Sequence, residues 1–223
     1  MKTVLLVSGG LDSFIAYHYL VKDGYEVLPL HINYQGIYSD KELSVVEELF
    51  PNVRIDNSLD FFGQEIGEKA FLKNRNAFFA LIGSKYGNSI CMAGLKDDNV
   101  GDKSQTAFLR MQELLDEINT GDHHVFSPFW GMEKEEIVKW FMEEQLSLKE
   151  LCLTTSCYHP ELNFCGKCPS CFRKYCAFVS NDIGDYIPAF TNFDLALEYK
   201  TNIFKYSMKR QASILRACKV LGV

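Results

Sequence analysis

The chain has 223 residues, of which 47% are hydrophobic and 23% are charged. This composition is typical of a globular protein with a sizeable core and excludes a disordered chain. The formal charge of −6 argues against a protein that binds nucleic acid through bulk electrostatics, and no apolar run approaches the roughly 18 residues needed to span a bilayer. We therefore expect a cytoplasmic protein with neither a membrane nor a stable nucleic-acid partner.

Apolar runs and helix-like segments alternate along the first 150 residues, which predicts an α/β fold with a Rossmann-like parallel sheet and helices on both faces. The pattern ends near residue 151, so we predict a nucleotide-binding domain over 1–150 and a cysteine-rich loop with helices over 151–223. The predicted strands are 3–7, 25–32, 53–55, 89–95 and 124–129. The predicted helices run from residue 11 to Gly24 and over 40–50, 65–87, 104–118 and 133–145.

The hexapeptide SGGLDS follows the first predicted strand and opens the first predicted helix. The N-terminus of a helix binds anions because its first turn has unpaired N–H donors and a partial positive charge. Gly9 and Gly10 would let the backbone approach a phosphate, and Ser8 and Ser13 would add hydroxyl donors. Asp12 would hold a Mg²⁺ ion that bridges phosphates, or would cap the loop. A plain turn in which a serine caps the helix is the alternative.

Four cysteines lie close together in the second region, with the spacing C-x7-C-x2-C-x2-C. Four thiolates can surround one Zn²⁺ tetrahedrally at about 2.3 Å and leave no position for water, so we predict one structural zinc ion per chain. An iron–sulfur cluster, a group of buried free cysteines, and His159 in place of one ligand are the alternatives. The predicted ligands are Cys157, Cys165, Cys168 and Cys171. The other cysteines, Cys91, Cys152, Cys176 and Cys218, are predicted to be small buried hydrophobes.

These two features, in this order, resemble the QueC family of 7-cyano-7-deazaguanine synthases. SGGLDS resembles the SGGxDS signature of the PP-loop pyrophosphatase superfamily, which grips the pyrophosphate of ATP, and residues 154–174 resemble the family's SCY…CGxCxxCxxR zinc loop. Residues 33–49, 74–79 and 127–138 are similar to its YGQxHxxEL, GRNxxF and TPLxxLxKxEIV segments. The resemblance implies an adenine nucleotide alpha hydrolase-like fold with a small helical zinc-binding region.

The resemblance also implies an ATP-dependent ligase of queuosine biosynthesis. Members of the family adenylate 7-carboxy-7-deazaguanine, displace AMP with ammonia, and dehydrate the amide to the 7-cyano base after a second adenylation. Arg75 and Lys134 are the candidate cations for the phosphates. Relatives often pair their subunits, so a homodimer is also implied. By resemblance Ile32 would meet adenine, and the pyrophosphate and its Mg²⁺ would be held by Ser8, Gly9, Gly10, Leu11, Asp12 and Ser13.

One segment departs from the family pattern, which carries GxNxxDxSGYPDCR where this chain has GLKDDNVGDKSQTAFLR at 94–110. Lys96 stands in place of the asparagine and is a candidate for a substrate carboxylate or a phosphate. Asp97 or Asp98 is a candidate for a metal or a purine N–H edge, and all three could instead be solvated loop charges. Three alternative functions stay open: a divergent enzyme that stops at the amide or uses another amine, a PP-loop enzyme that thiolates tRNA, and a non-catalytic nucleotide sensor stabilised by zinc.

Overall fold

A computed structural model describes residues 1–64, 72–96, 98 and 101–223. Its strands form one parallel sheet in the order β3-β2-β1-β4-β5, which confirms the predicted fold class. The strands are β1 (Lys2–Leu6), β2 (Glu26–Ile32), β3 (Arg54–Asp56), β4 (Ser89–Cys91) and β5 (His124–Phe126). The helices are α1 (Leu11–Lys22), α2 (Ser39–Leu49), α3 (Arg75–Gly83), α4 (Gln105–Asn119), α5 (Lys134–Glu143), α6 (Leu148–Leu153), α7 (Pro169–Ser180), α8 (Phe193–Thr201) and α9 (Met208–Leu221).

Both faces of the sheet are covered, because alternate residues of each strand point to opposite sides. Leu5 of the central strand β1 packs in the core that includes α1, α2, α5 and the C-terminal helices. Val4, its neighbour, faces the other side, where β2 and the α3 region bury it. Ile90 of β4 joins α3 and α4 in a third cluster on that side. Each such side chain contributes roughly 1.5–3 kcal/mol when it is fully buried.

The order of the strands fixes where a ligand can bind. The chain moves outward from β1 to β2 and β3 on one side, and to β4 and β5 on the other. The switch point of an open parallel sheet therefore lies at the carboxyl end of β1, and ligands bind in the crevice there. The loop that contains SGGLDS leaves β1 at this point.

The C-terminal region packs against the sheet domain through one continuous core. Residue 150 lies inside α6, and the largest core cluster contains side chains from Leu5 to Cys218. The division of the chain into a nucleotide-binding domain over 1–150 and a C-terminal region over 151–223 stays a prediction. Among the described residues no helix is both long and apolar enough to cross a membrane.

Three predicted elements are shorter than expected. The helix predicted over 65–87 is Arg75–Gly83, which begins after Asn74 in a left-handed conformation with φ 60°; residues 65–71 of that prediction lie outside the described residues. The strands predicted over 89–95 and 124–129 end at Cys91 and Phe126, the last pair of the β4–β5 ladder. Beyond that pair the two segments leave the sheet. The α-carbon of Gly94 packs so closely against Trp130 that a Cβ would lie 2.6 Å from the ring.

Candidate nucleotide-binding cavity and cysteine cluster

The turn between β1 and α1 leaves backbone donors free for an anion. Gly10 is the N-cap residue of α1, so no side chain caps the helix. The Ser13 hydroxyl donates to the Gly10 carbonyl at 3.0 Å, so it does not cap the helix either. Within the described part of the chain, the N–H groups of the first turn, from Leu11 to Ser13, donate to no other residue. Such a turn favours a bound anion.

Gly9 is required by the backbone of this turn. Its φ is +69°, and a Cβ built on it would lie 2.9 Å from Cγ1 of Val45 on α2. A side chain would therefore meet both backbone strain and a neighbouring helix. The close approach of α2 to Gly9 brings the start of that helix to the mouth of the cavity.

Lys134 and Asp12 form an ion pair at the N-terminus of α1. The Lys134 ammonium donates to the Asp12 carboxylate at 2.5 Å, and the lysine side chain is only 9% exposed. Lys134 is the first residue of α5, which begins with a capping bond from the Glu133 N–H to the Glu136 carboxylate at 3.0 Å. Burial lowers the pKa of Lys134, and Asp12 opposes that shift. Removing either partner would leave an uncompensated buried charge. Each of the two side chains therefore keeps the other in place.

A cavity of about 190 Å³ lies at the carboxyl ends of β1, β2 and β4. It brings together eight residues predicted from the sequence: Ser8, Gly10, Leu11, Asp12, Ser13, Ile32, Arg75 and Lys134. Gly9 shapes the turn from behind and does not line the cavity. Lys96 is exposed and does not line it; Lys103 does.

The cavity also contains residues that the sequence reasoning missed, among them Tyr34, Glu42, Asn76, Phe79, Lys103 and Ser156. Burial raises the pKa of Glu42 to about 7, although Arg75 and Lys41 act in the opposite direction. Another residue that lines the cavity, His31, donates from Nδ1 to the Val7 carbonyl at 2.8 Å. This bond places a proton on Nδ1, since a carbonyl oxygen can only accept. A signal for Glu42 was present, since it falls in the segment that is similar to YGQxHxxEL.

Asp98 is neither a solvated loop charge nor an open metal ligand. Its carboxylate accepts from Lys103 at 2.7 Å, from Arg173 at 3.1 Å and from the Leu95 N–H at 3.0 Å, and it is 5% exposed. The two cations hold the pKa of Asp98 well below its usual range. The candidate Asp97 lies outside the described residues.

The four predicted cysteines form one cluster in which all sulfur atoms lie within 4.8 Å of one another. Cys165 Sγ is 3.8 Å from Cys171 Sγ, and Cys168 Sγ is 4.0 Å from Cys157 Sγ. Sulfurs at the corners of a tetrahedron of about 2.3 Å metal–sulfur bonds lie roughly 3.8 Å apart. The donor set and its spacing therefore fit one tetrahedral metal ion, and the cluster could bind one.

Backbone N–H groups point at these sulfurs, as they do at thiolates. Cys157 Sγ accepts from the N–H groups of His159 and Cys165, both at 3.3 Å, and Cys168 Sγ accepts from Cys171 at 3.4 Å. The Nδ1 atom of His159 accepts from the Glu161 N–H at 3.2 Å, and the histidine lies outside the cluster. Of the other four cysteines, Cys152 is half-buried and the rest are buried, close to the expectation.

Two lysines hold the cysteine loop in place, one from the sheet domain and one from α7. Lys41 of α2 donates to the carbonyls of Cys157 at 2.7 Å and His159 at 2.6 Å. Lys174 donates to the Thr154 carbonyl at 2.6 Å, and burial lowers its pKa to about 8. The Thr155 N–H then donates to the Gly9 carbonyl at 2.8 Å, which joins the cysteine loop to the turn before α1.

A parallel α/β fold with the SGGLDS turn at its switch point and a four-cysteine loop beside it is the arrangement of the PP-loop class. The family model described as "Queuosine biosynthesis protein QueC" matches residues 2–78 and 62–182. The chain therefore belongs to the QueC family.

Curated relatives carry names that agree with this family. The chain is 29% identical to 7-cyano-7-deazaguanine synthase 2 of Sulfurisphaera tokodaii over 82% of its own length and 47% of that protein, so it spans about half of that relative. It is 26% identical to 7-cyano-7-deazaguanine synthase of Nautilia profundicola over 84% of this chain and 97% of that protein. A crystal structure of a predicted subunit of tRNA methyltransferase from Methanocaldococcus jannaschii is 16% identical, with a TM-score of 0.44 over 73% of this chain and 94% of that one.

Proposed function

We propose that the chain is an ATP-dependent C–N ligase that converts 7-carboxy-7-deazaguanine and ammonia to 7-cyano-7-deazaguanine and forms AMP and pyrophosphate. Membership of the QueC family and the names of its relatives support the reaction. The observation that carries ATP use is the buried pair of Lys134 and Asp12 beside the unpaired N–H groups at the start of α1. Cations and fixed donors are what adenylyl transfer requires.

In the first step, the adenylation of the substrate, the residues of the cavity have separate roles. The substrate carboxylate attacks the α-phosphorus of ATP, and pyrophosphate leaves toward the N–H groups of Leu11, Asp12 and Ser13. Lys134 stabilises the charge that develops on the phosphates. Asp12, whose second oxygen accepts no hydrogen bond from a described residue, would hold Mg²⁺ together with the phosphates, and the ion would neutralise the leaving group. Adenine would lie at the end of β2 beside Ile32, and Arg75 would add a second cation.

The metal of the cysteine loop is proposed to be a structural Zn²⁺. Four thiolates fill a tetrahedron, so the ion has no open position for a substrate. Lys41 and Lys174 bring positive charge to the loop that carries the excess negative charge of four thiolates. Metal analysis of the purified protein should give one zinc per chain, and stoichiometric iron with sulfide would contradict this assignment.

The reaction is tested by incubating the protein with 7-carboxy-7-deazaguanine, ammonium and Mg-ATP, and separating the products by liquid chromatography. We expect AMP and the nitrile, with the amide as a transient species. AMP release with the amide as the final product would contradict nitrile formation, and no AMP release would contradict adenylation. Lys134→Met should lose adenylation, whereas Lys139→Met, on the exposed side of the same helix, should keep it.

A further inference from the structure

We propose that Glu42 is the ammonium site of the cavity and the base that takes a proton from bound ammonium before nitrogen attacks the acyl adenylate. This inference rests on the proposed function, because it assigns a residue to the second substrate of that reaction. Glu42 would then be a catalytic residue that touches a reactant.

The position of Glu42 is fixed by the contact between α2 and the turn before α1. A Cβ on Gly9 would lie 3.5 Å from the backbone carbonyl of Glu42, so this turn of α2 lies directly against the loop. The Glu42 side chain lines the same cavity as Asp12, Lys134 and Ile32. A group bound to it would therefore lie in the same cavity as the phosphates of the proposed reaction.

Glu42 differs from the other acidic groups of the site because its carboxylate has no hydrogen-bond or ion-pair partner among the described residues. Asp12 is paired with Lys134, and Asp98, behind the cavity, is paired with Lys103 and Arg173. Within the residues that the structure describes, the Glu42 carboxylate makes no hydrogen bond and no ion pair. A partly desolvated carboxylate without a partner is unfavourable, and a small cation with several N–H donors would relieve it.

The charged groups around Glu42 come from five parts of the chain. Lys41 of its own helix and Arg75 of α3 act on it directly, and the same cavity is lined by Asp12 of α1, Lys134 of α5 and Lys103 before α4. Lys41 is committed to carbonyls of the cysteine loop. Burial outweighs Arg75 and Lys41 and raises the pKa of Glu42 to about 7. A base is most effective when its pKa lies near the working pH, so this carboxylate suits proton transfer at neutral pH.

Ammonium is the reactant that needs such a base, since its nitrogen has no lone pair until one proton is removed. Glu42 takes that proton, the freed lone pair forms a C–N bond to the acyl carbon, and the C–O bond to AMP breaks with its electrons staying on the phosphate. The nitrogen then loses a second proton to the leaving phosphate or to water. The products are the amide, AMP and two protons, one of them on Glu42.

The test compares two amines that differ in charge. Hydroxylamine is largely uncharged at neutral pH and needs no base to expose its lone pair, and its product, the hydroxamate, reports adenylation. Wild type, Glu42→Gln, Glu42→Asp and the exposed control Glu48→Gln are assayed at pH 7 with each amine. We expect Glu42→Gln to lose amide formation by about 10²-fold, in the range of a lost general base, while hydroxamate formation changes little.

Two further results would support the inference: partial recovery of amide formation in Glu42→Asp, and a deficit of Glu42→Gln that shrinks as the pH is raised to about 9, where free ammonia is abundant. Unchanged amide formation in Glu42→Gln would overturn it. An equal loss with both amines would also overturn it, since Glu42 would then hold the acid or the fold. If wild type forms neither product, the proposed function fails and this inference fails with it.

Discussion

The turn before α1 and the cysteine loop lie in contact, yet they differ in how fully the protein satisfies their polar groups. In the cysteine loop the sulfurs of Cys157 and Cys168 accept backbone N–H groups, and Lys41 and Lys174 each donate to more than one carbonyl. Around the cavity, by contrast, the first-turn N–H groups of α1, the Glu42 carboxylate and the Ser156 hydroxyl make no hydrogen bond to any residue in the described part of the chain. Polar groups that satisfy one another stabilise the fold, whereas groups left unsatisfied in a cavity are available to a ligand.

Among the substitutions that test this difference, the largest effect is expected from one in the cysteine loop. Cys171→Ala removes one of four ligands, and because metal binding is coupled to folding, the variant should lose its metal and several kcal/mol of stability. Metal content and thermal unfolding measure the two effects. Cys152→Ala, outside the cluster, should keep the metal. A Cys171→Ala protein with full metal content would show that the cluster does not hold the ion.

The second largest effect is expected from a substitution in the cavity, and it should appear in the activity. Lys134→Ala removes the cation that faces Asp12, and we expect adenylation to fall by about 10²–10³-fold, the range for loss of one fixed donor to a developing charge. Measurement of kcat/KM for AMP release tests this, with Lys139→Ala as the control on the same helix. A Lys134→Ala enzyme with wild-type kcat/KM would mean that the ion pair serves the fold alone.

The fold and the places of the two regions in the chain could be predicted from the sequence because their signals were local. The SGGLDS turn, the four cysteines and the alternation of strand and helix each lie within one short segment. Whether a polar group already has a partner within the protein depends on contacts between residues that are distant in sequence, such as Lys41 with the Cys157 carbonyl or Lys103 with Asp98. The pattern therefore did not indicate that Lys103 lines the cavity and Lys96 does not, and the catalytic role of Lys96 stays a prediction.

Two glycines offer a smaller test of how closely the cavity turn is packed. Gly9 and Gly24 both have positive φ, +69° and +81°, but a Cβ on Gly9 would meet Val45 at 2.9 Å, while a Cβ on Gly24 would have nothing within 4 Å. Gly24→Ala should cost only the backbone strain, about 1 kcal/mol. Gly9→Ala should cost about 1–3 kcal/mol more, because α2 must also shift, and should raise the KM for ATP. Equal unfolding temperatures for the two variants would contradict close packing at Gly9.

The smallest effect concerns Glu42, whose unpaired charge should make the fold less stable. Its pKa rises from an ordinary 4.5 to about 7 on folding, so between these values the folded state binds more protons than the unfolded state. Stability should therefore fall as the pH rises through this window. At pH 8 Glu42→Gln should stabilise the protein by about 1–2 kcal/mol, or roughly 2–8 °C in Tm, and the gain should vanish near pH 4.5.

Asp98→Asn provides the matched case with the opposite sign, since its carboxylate is paired with two cations and its pKa is depressed. That variant should lose stability at pH 8, and Glu48→Gln on the exposed side of α2 should show neither effect. If Glu42→Gln lowered the Tm at pH 8, the Glu42 carboxylate would be committed to a partner like that of Asp98, and the difference between the two regions would no longer hold at this residue. If it raises the Tm while lowering amide formation, the cavity keeps an unfavourable charge because a substrate needs it.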